Sequence, residues 1–503
     1  MPGHPKTAVN ETDNSLIKSL LKSSSLYAFS GILRHSVSFI MLPIYTTYLS
    51  PKDYGIVSLM VFVISLIEIT LGARMGHAPQ KYYHDQKSAE KRKRVISTAL
   101  FITFFCSLIV TTLSITQSDL IAELLYKDSS LSPVVALFLV LITTQAIEAI
   151  GMLFIRIQNK AMLFFWLSVG KLITQLVCNI VFIIILKMGV LGMATASAFS
   201  AVIFAGVILL YVIREAGFTL DRELGSKMLL LSVPLWLSGL VSLYIGSSNR
   251  YLMNIFVSLD DIGLYSLAER LSAIIGALLF TPFFNHWSAE RFRLKDRSNF
   301  DDIQRNIFLG VSLILFAAGL GIVIYGKFII GIMADQKFYT AYKALPYLIS
   351  AYIFQSLASF YQFSFLLKEK TGLMSKIMNI TAVATTIFNL ALIPTYGFVG
   401  AAIAMLGSQA IIFLLSHRMA KPLYDMKLPI SKVFISIFIC AIGYIVSELL
   451  KCDPFTISGF ASLSLIYITT IIVLLYFNVN RSLLIDLRTQ IMAKWRPSGS
   501  HKS

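Results

Sequence analysis

What most constrains this chain is the recurrence of apolar runs eighteen or more residues long. Each is long enough to cross a hydrocarbon core of about 30 Å as a helix. Runs such as FVISLIEITL and IYITTIIVLLYF do not alternate in polarity. That excludes the closed β-barrel, the other way a backbone can satisfy its hydrogen bonds in lipid. Only 14% of the 503 residues are charged and 56% are hydrophobic, whereas a soluble domain carries about 25% charged residues. The expected fold is an all-α membrane protein of about fourteen transmembrane helices, the first at 24–48 and the last at 456–478.

Basic residues orient these spans. With a cytoplasmic N-terminus, 32 of the 43 Lys and Arg fall on the cytoplasmic side, 8 on the outer side and 3 within spans. Such a bias over short loops follows the positive-inside rule and puts both tails in the cytoplasm. The loop AEKRKRV (89–95) is the strongest anchor. Topology thus accounts for the net charge of +17, and no basic stripe remains that would call for a nucleic-acid partner. Cys106, Cys178 and Cys440 lie in spans and Cys452 in a loop, without zinc-site spacing, so they read as small apolar fillers and no metal is expected. The polar tail and the long first span argue against a cleavable signal peptide.

The sequence also repeats itself. The segment DYGIVSL (53–59) returns as DIGLYSL (261–267), an offset of 208. At the same offset Ser30-Gly31 returns as Ser238-Gly239, and GVLG (189–192) as GFVG (397–400). Each copy holds six spans, an even number, so both enter the membrane from the same side and form parallel repeats. The organisation expected is a tail at 1–17, six-helix lobes at 18–225 and 226–432, an extra helix pair at 433–480, and a tail at 481–503. Two like bundles leave a cleft between them, suited to a carrier that rocks one against the other. Pro43 and Pro282 lie inside spans, where each kinks its helix, either as a gate or as a static bend.

Charges near mid-bilayer cost roughly 2.5–3.5 kcal/mol on insertion scales, so they face protein or water. Six qualify: Arg34, Glu68, Glu148, Lys171, Glu269 and Arg270. Glu148 and Lys171 sit at matching depths of roughly 11–12 Å on neighbouring antiparallel spans and can pair. Arg34 either lines the cleft or reaches Glu68. Glu269 and Arg270 are adjacent, so their side chains diverge by about 100° and at most one points directly into the cleft. Arg250 and Arg74, at span ends, either line the cleft mouths or snorkel to the interface. His35 beside Arg34 either titrates near neutral pH or is structural. The segment GIVIYGKF (321–328) imitates a phosphate-binding loop, but Phe328 replaces the required Ser or Thr and the segment ends on the outer side. No enzyme chemistry and no cofactor are expected.

Three stretches carry a family resemblance. SGILRHSVSFIMLPIYTTYLSPKDYGIVSL (30–59) resembles the opening of the Wzx-type polysaccharide flippases of the multidrug/oligosaccharidyl-lipid/polysaccharide exporter superfamily. The segment from Ser232 to Phe292 is similar to the start of that family's second half, and NLALIPTYGFVGAAIA (389–404) to its eleventh-to-twelfth helix turn. The resemblance covers roughly residues 20–480. It implies two lobes in a V plus a helix pair, in a bacterial inner membrane. The cargo implied is an undecaprenyl-pyrophosphate-linked oligosaccharide, moved from the cytoplasmic to the outer leaflet. Glycosyltransferases or a polysaccharide polymerase are the implied partners. In that superfamily the peptidoglycan-precursor flippase lines its cavity with arginines from the first and eighth helices, which correspond here to Arg34 and Arg270. Lys171 and Arg250 are further candidate cations, and Glu68, Glu148 and Glu269 are candidate coupling acids. Two alternatives stay open: an ion-coupled multidrug exporter of the same superfamily, and a non-transporting membrane scaffold.

Overall fold

The computed structural model describes residues 41–71, 75–76 and 78–478, together with Leu33 and Phe39. Arg34, His35, Arg74, the Ser30-Gly31 repeat and most of the first expected span lie outside the described residues. The rest is helical. The first half comprises α1 (Leu42–Tyr48), α2 (Pro51–Leu71), α3 (Ala78–Asp85), α4 (Ala89–Thr116), α5 (Ser118–Tyr126), α6 (Ser132–Ile157), α7 (Ala161–Asn179) and α8 (Gly189–Ala216). The second comprises α9 (Arg222–Phe256), α10 (Leu259–Ile274), α11 (Thr281–Leu294), α12 (Phe300–Ile324), α13 (Gly326–Met333), α14 (Leu345–Leu367) and α15 (Thr371–Ala420). Two more helices follow, α16 (Ile430–Leu449) and α17 (Ile457–Asn478).

Among the described residues eleven helices are long and apolar enough to cross a membrane. One of them, α15, joins the two spans expected at 373–394 and 397–416. Its backbone breaks at Gly397, whose φ of 58° and ψ of −136° are non-helical. The 23-residue α14 stands where the tenth span is expected. Large apolar side chains cover the outside, among them Leu230 at 76% exposure and Phe438 at 66%, a surface suited to lipid rather than water. The expectation missed the short helices. The stretch 78–85 and the segments 118–126 and 326–333, in loops predicted to lie outside, form helices of only 8, 9 and 8 residues, too short for a span.

Pro282 follows a π-helical turn over 275–280 that links α10 to α11, and the Thr281 hydroxyl donates to the Gly276 carbonyl at 2.8 Å. The wider turn accommodates the proline's missing N–H, so the bend lies upstream of the ring. Pro43 lies in the first turn of α1, where a missing N–H costs no helical hydrogen bond.

The repeat has a local physical basis. Ser50 and Asp53 cap α2 reciprocally: the Ser50 backbone N–H donates to Asp53 Oδ2 at 2.8 Å and the Asp53 N–H to Ser50 Oγ at 3.1 Å. The equivalents 208 residues on, Ser258 and Asp261, make the same box on α10, at 3.3 and 3.2 Å. Gly189 and Gly397 share a positive φ, 56° and 58°, which favours glycine at both.

The two capped helix starts cross at the predicted outer face. A β-carbon at Gly55 would overlap the Leu259 carbonyl oxygen, and one at Gly263 would overlap the Pro51 carbonyl oxygen. Pro51 and Leu259 are themselves related by the offset of 208. Each half thus sets its glycine on the other's first turn. Next to this crossing the Asp335 N–H donates to Thr46 Oγ1 at 3.3 Å, and Lys337 Nζ to the Thr47 carbonyl at 3.4 Å. The two halves are sealed together at that end.

Candidate functional site

Just inside the crossing, a cavity of about 400 Å³ lies between the halves. Helical spacing supplies its walls. On α2, Tyr54, Val57, Ser58 and Val61 follow an i, i+3, i+4, i+7 stripe; on α10, Ser266, Glu269, Arg270 and Ala273 do the same. Ser58 and Ser266 are repeat equivalents and face one space. Arg250 on α9 and Tyr352 on α14 complete the polar lining.

The charges are unequally arranged. Arg250 forms an ion pair with Glu269, and its Nε donates to Ser58 Oγ at 2.9 Å, a bond across the two halves. Both members of the pair are 14% exposed. Arg270 differs. Its guanidinium carbon stands 5.8 Å from the centre of the Tyr54 ring, and its buried Nη1 has no hydrogen-bond partner among the described residues. The Arg250–Glu269 pair is internally neutral, so among the described residues lining the cavity the formal excess is one positive charge, on Arg270.

Of the sequence candidates, Arg250, Glu269 and Arg270 are therefore brought together. Arg250 does not snorkel: Glu269, nineteen residues on across the α9–α10 turn, draws it inward. Both Glu269 and Arg270 line the cavity, although adjacent residues diverge, because Glu269 extends toward α9 and Arg270 toward α2. Lys171 and Glu148 meet each other instead, with Lys171 Nζ at 2.6 and 2.8 Å from the two carboxylate oxygens, and neither lines this cavity. Glu68 is buried on α2, 5% exposed, and is engaged by a neighbour. Arg34 lies outside the described residues. Sequence reasoning missed Tyr54, Ser58 and Tyr352. Ser58 was within reach, since the repeat offset equates it with Ser266, beside the charged pair.

The chain is thus a many-helix membrane protein whose two repeated halves close at one end over a polar, cation-bearing cavity. Its fold is that of the lipid II flippase MurJ in an inward closed conformation, with a TM-score of 0.72 at 17% identity over 94% of this chain and all of that one. An inward-facing multidrug resistance MATE transporter of the MOP superfamily follows, with a TM-score of 0.57 at 15% identity, covering 79% of this chain and 98% of that one. Residues 20–285 match the polysaccharide biosynthesis protein family, and the chain belongs to that family. A curated relative, the probable low-salt glycan biosynthesis flippase Agl15 of Haloferax volcanii, is 25% identical over 189 residues. That match spans 36% of this chain and 39% of the relative.

Proposed function

We propose that this protein is a flippase for an undecaprenyl-pyrophosphate-linked oligosaccharide, carrying it from the cytoplasmic to the outer leaflet of a bacterial inner membrane by alternating access. The observation that carries this reading is Arg270, a half-buried cation in the inter-half cavity whose Nη1 is buried without a hydrogen-bond partner and which has no acidic partner among the described residues. A guanidinium fork held this way suits a phosphate oxygen pair. Family membership and the named glycan flippase relative support the same class of cargo. The seal at the Gly55–Gly263 crossing supports a state closed toward the predicted outer face.

The tail has a place as well. Between α12, α14 and α16 lies a largely apolar cavity of about 380 Å³, lined by Phe316, Val323, Ile353, Ile437 and Cys440 among others. It is suited to a polyprenyl chain lying beside the extra helix pair. Enzymes that build or polymerise the glycan are the partners this reading requires. An ion-coupled exporter would instead need a carboxylate free to exchange ions in the cavity, and Glu269 is held by Arg250.

Arg270→Ala should abolish surface polysaccharide while the protein remains in the membrane, and Arg270→Lys should retain a part of it if charge alone suffices. Normal polysaccharide in Arg270→Ala cells would remove the basis of the proposal.

A further inference from the structure

A second cavity, of about 550 Å³, opens within the C-terminal half. It continues the first along the same helices: from Arg250 to Ser242 on α9, from Arg270 through the π turn to Asn285, and from Tyr352 to Gln362 on α14. In the predicted orientation each of these steps leads toward the cytoplasm.

Its chemistry is unlike that of its neighbour. Among the described residues lining it none is charged. Its polar groups are all neutral, the amides of Asn285, Gln355, Gln362 and Gln409 together with serine and threonine hydroxyls, set among apolar side chains that include the rings of Phe280 and Phe284. Those rings stack with centroids 4.9 Å apart and planes inclined by 22°. Gln409 is 3% exposed, and its Oε1 accepts no hydrogen bond among the described residues. An unsatisfied buried acceptor costs about 1–3 kcal/mol, which a ligand donor would remove.

This wall lacks the fixed charge of the neighbouring cavity, and its amides and hydroxyls interrupt the apolar surface that an acyl chain would need. Amides both donate and accept, as sugar hydroxyls do, while aromatic rings offer a surface for the C–H face of a pyranose. We infer that this cavity is a saccharide subsite, holding the first neutral sugars of the lipid-linked glycan. The inference rests on the reading above, in which Arg270 takes the pyrophosphate. Cation and amides then succeed one another along three helices in the order in which phosphate and sugar succeed one another on the ligand.

The test uses the full chain in lipid nanodiscs and two probes, undecaprenyl pyrophosphate and the same lipid bearing one N-acetylglucosamine. The wild type should bind the sugar-bearing probe about ten-fold more tightly. Gln409→Met and Gln362→Met should each cut that advantage by about three- to ten-fold, the worth of a neutral hydrogen bond, and leave binding of the bare lipid unchanged. Gln362 is only half-buried, so its variant decides the matter should the Gln409 variant fail to fold, as loss of bare-lipid binding would reveal. Equal affinity of the wild type for both probes, or an advantage intact in the folded variants, overturns the subsite. Failure of the pyrophosphate reading looks different: Arg270→Ala then binds bare lipid as tightly as wild type while the glutamine variants still lose the sugar advantage. A wild type that binds neither probe overturns both.

Discussion

At the scale of the residue, the cavity holds two arginines with opposite burdens. Arg250 is neutralised by Glu269 and tied to Ser58, so it acts as a structural clasp between the halves. Removing one member of a buried pair leaves the other charge uncompensated, at a cost of roughly 3–5 kcal/mol. Glu269→Ala should therefore lower the melting temperature of the purified protein markedly, and Arg250→Met with Glu269→Leu should restore much of it. A single variant as stable as wild type would show that the pair is not a clasp. Arg270 has no such counterweight among the described residues, so on the proposed reading its substitution should tell on cargo handling rather than on folding. The repeat register explains why these charges were hard to read from sequence. Residues 208 positions before Arg250, Glu269 and Arg270 are Leu42, Val61 and Phe62. The charges at these three positions belong to the second half alone, and only side-chain direction in three dimensions shows that Glu269 reaches toward Arg250 while Arg270 turns toward Tyr54 on α2.

At the scale of the element, the crossing of α2 and α10 depends on two hydrogens standing where side chains usually do. Gly55→Ala or Gly263→Ala would force backbone against backbone, and overpacking of this kind typically costs about 1–3 kcal/mol. The seal at the predicted outer face should loosen while the rest of the fold holds. In Gly263→Ala, a cysteine at Ser266 should react several-fold faster with a membrane-impermeant thiol reagent applied from outside. Unchanged labelling would mean that the crossing is not the closure. The sequence announced these helix starts through the repeated DYGIVSL and DIGLYSL, because capping and turn chemistry are local. That the two copies lie against each other was not legible, since no local preference specifies which distant backbone a glycine admits.

At the scale of the whole molecule, lipid as solvent made the architecture readable: length and apolarity bound the spans, and the α12–α14–α16 cavity then emerges only from how they pack. Filling that cavity with Cys440→Trp should reduce lipid transport in reconstituted vesicles and leave membrane insertion intact. Full transport in that variant would dissociate the cavity from the cargo. The Gly55–Leu259 and Gly263–Pro51 contacts have a wider implication. A surface that meets its own copy reciprocally is what holds a two-fold dimer together. Here the two-fold is internal to one chain: the handshake requires a glycine from each half, whereas the walls behind it need not match, Leu42, Val61 and Phe62 standing where the other half has Arg250, Glu269 and Arg270.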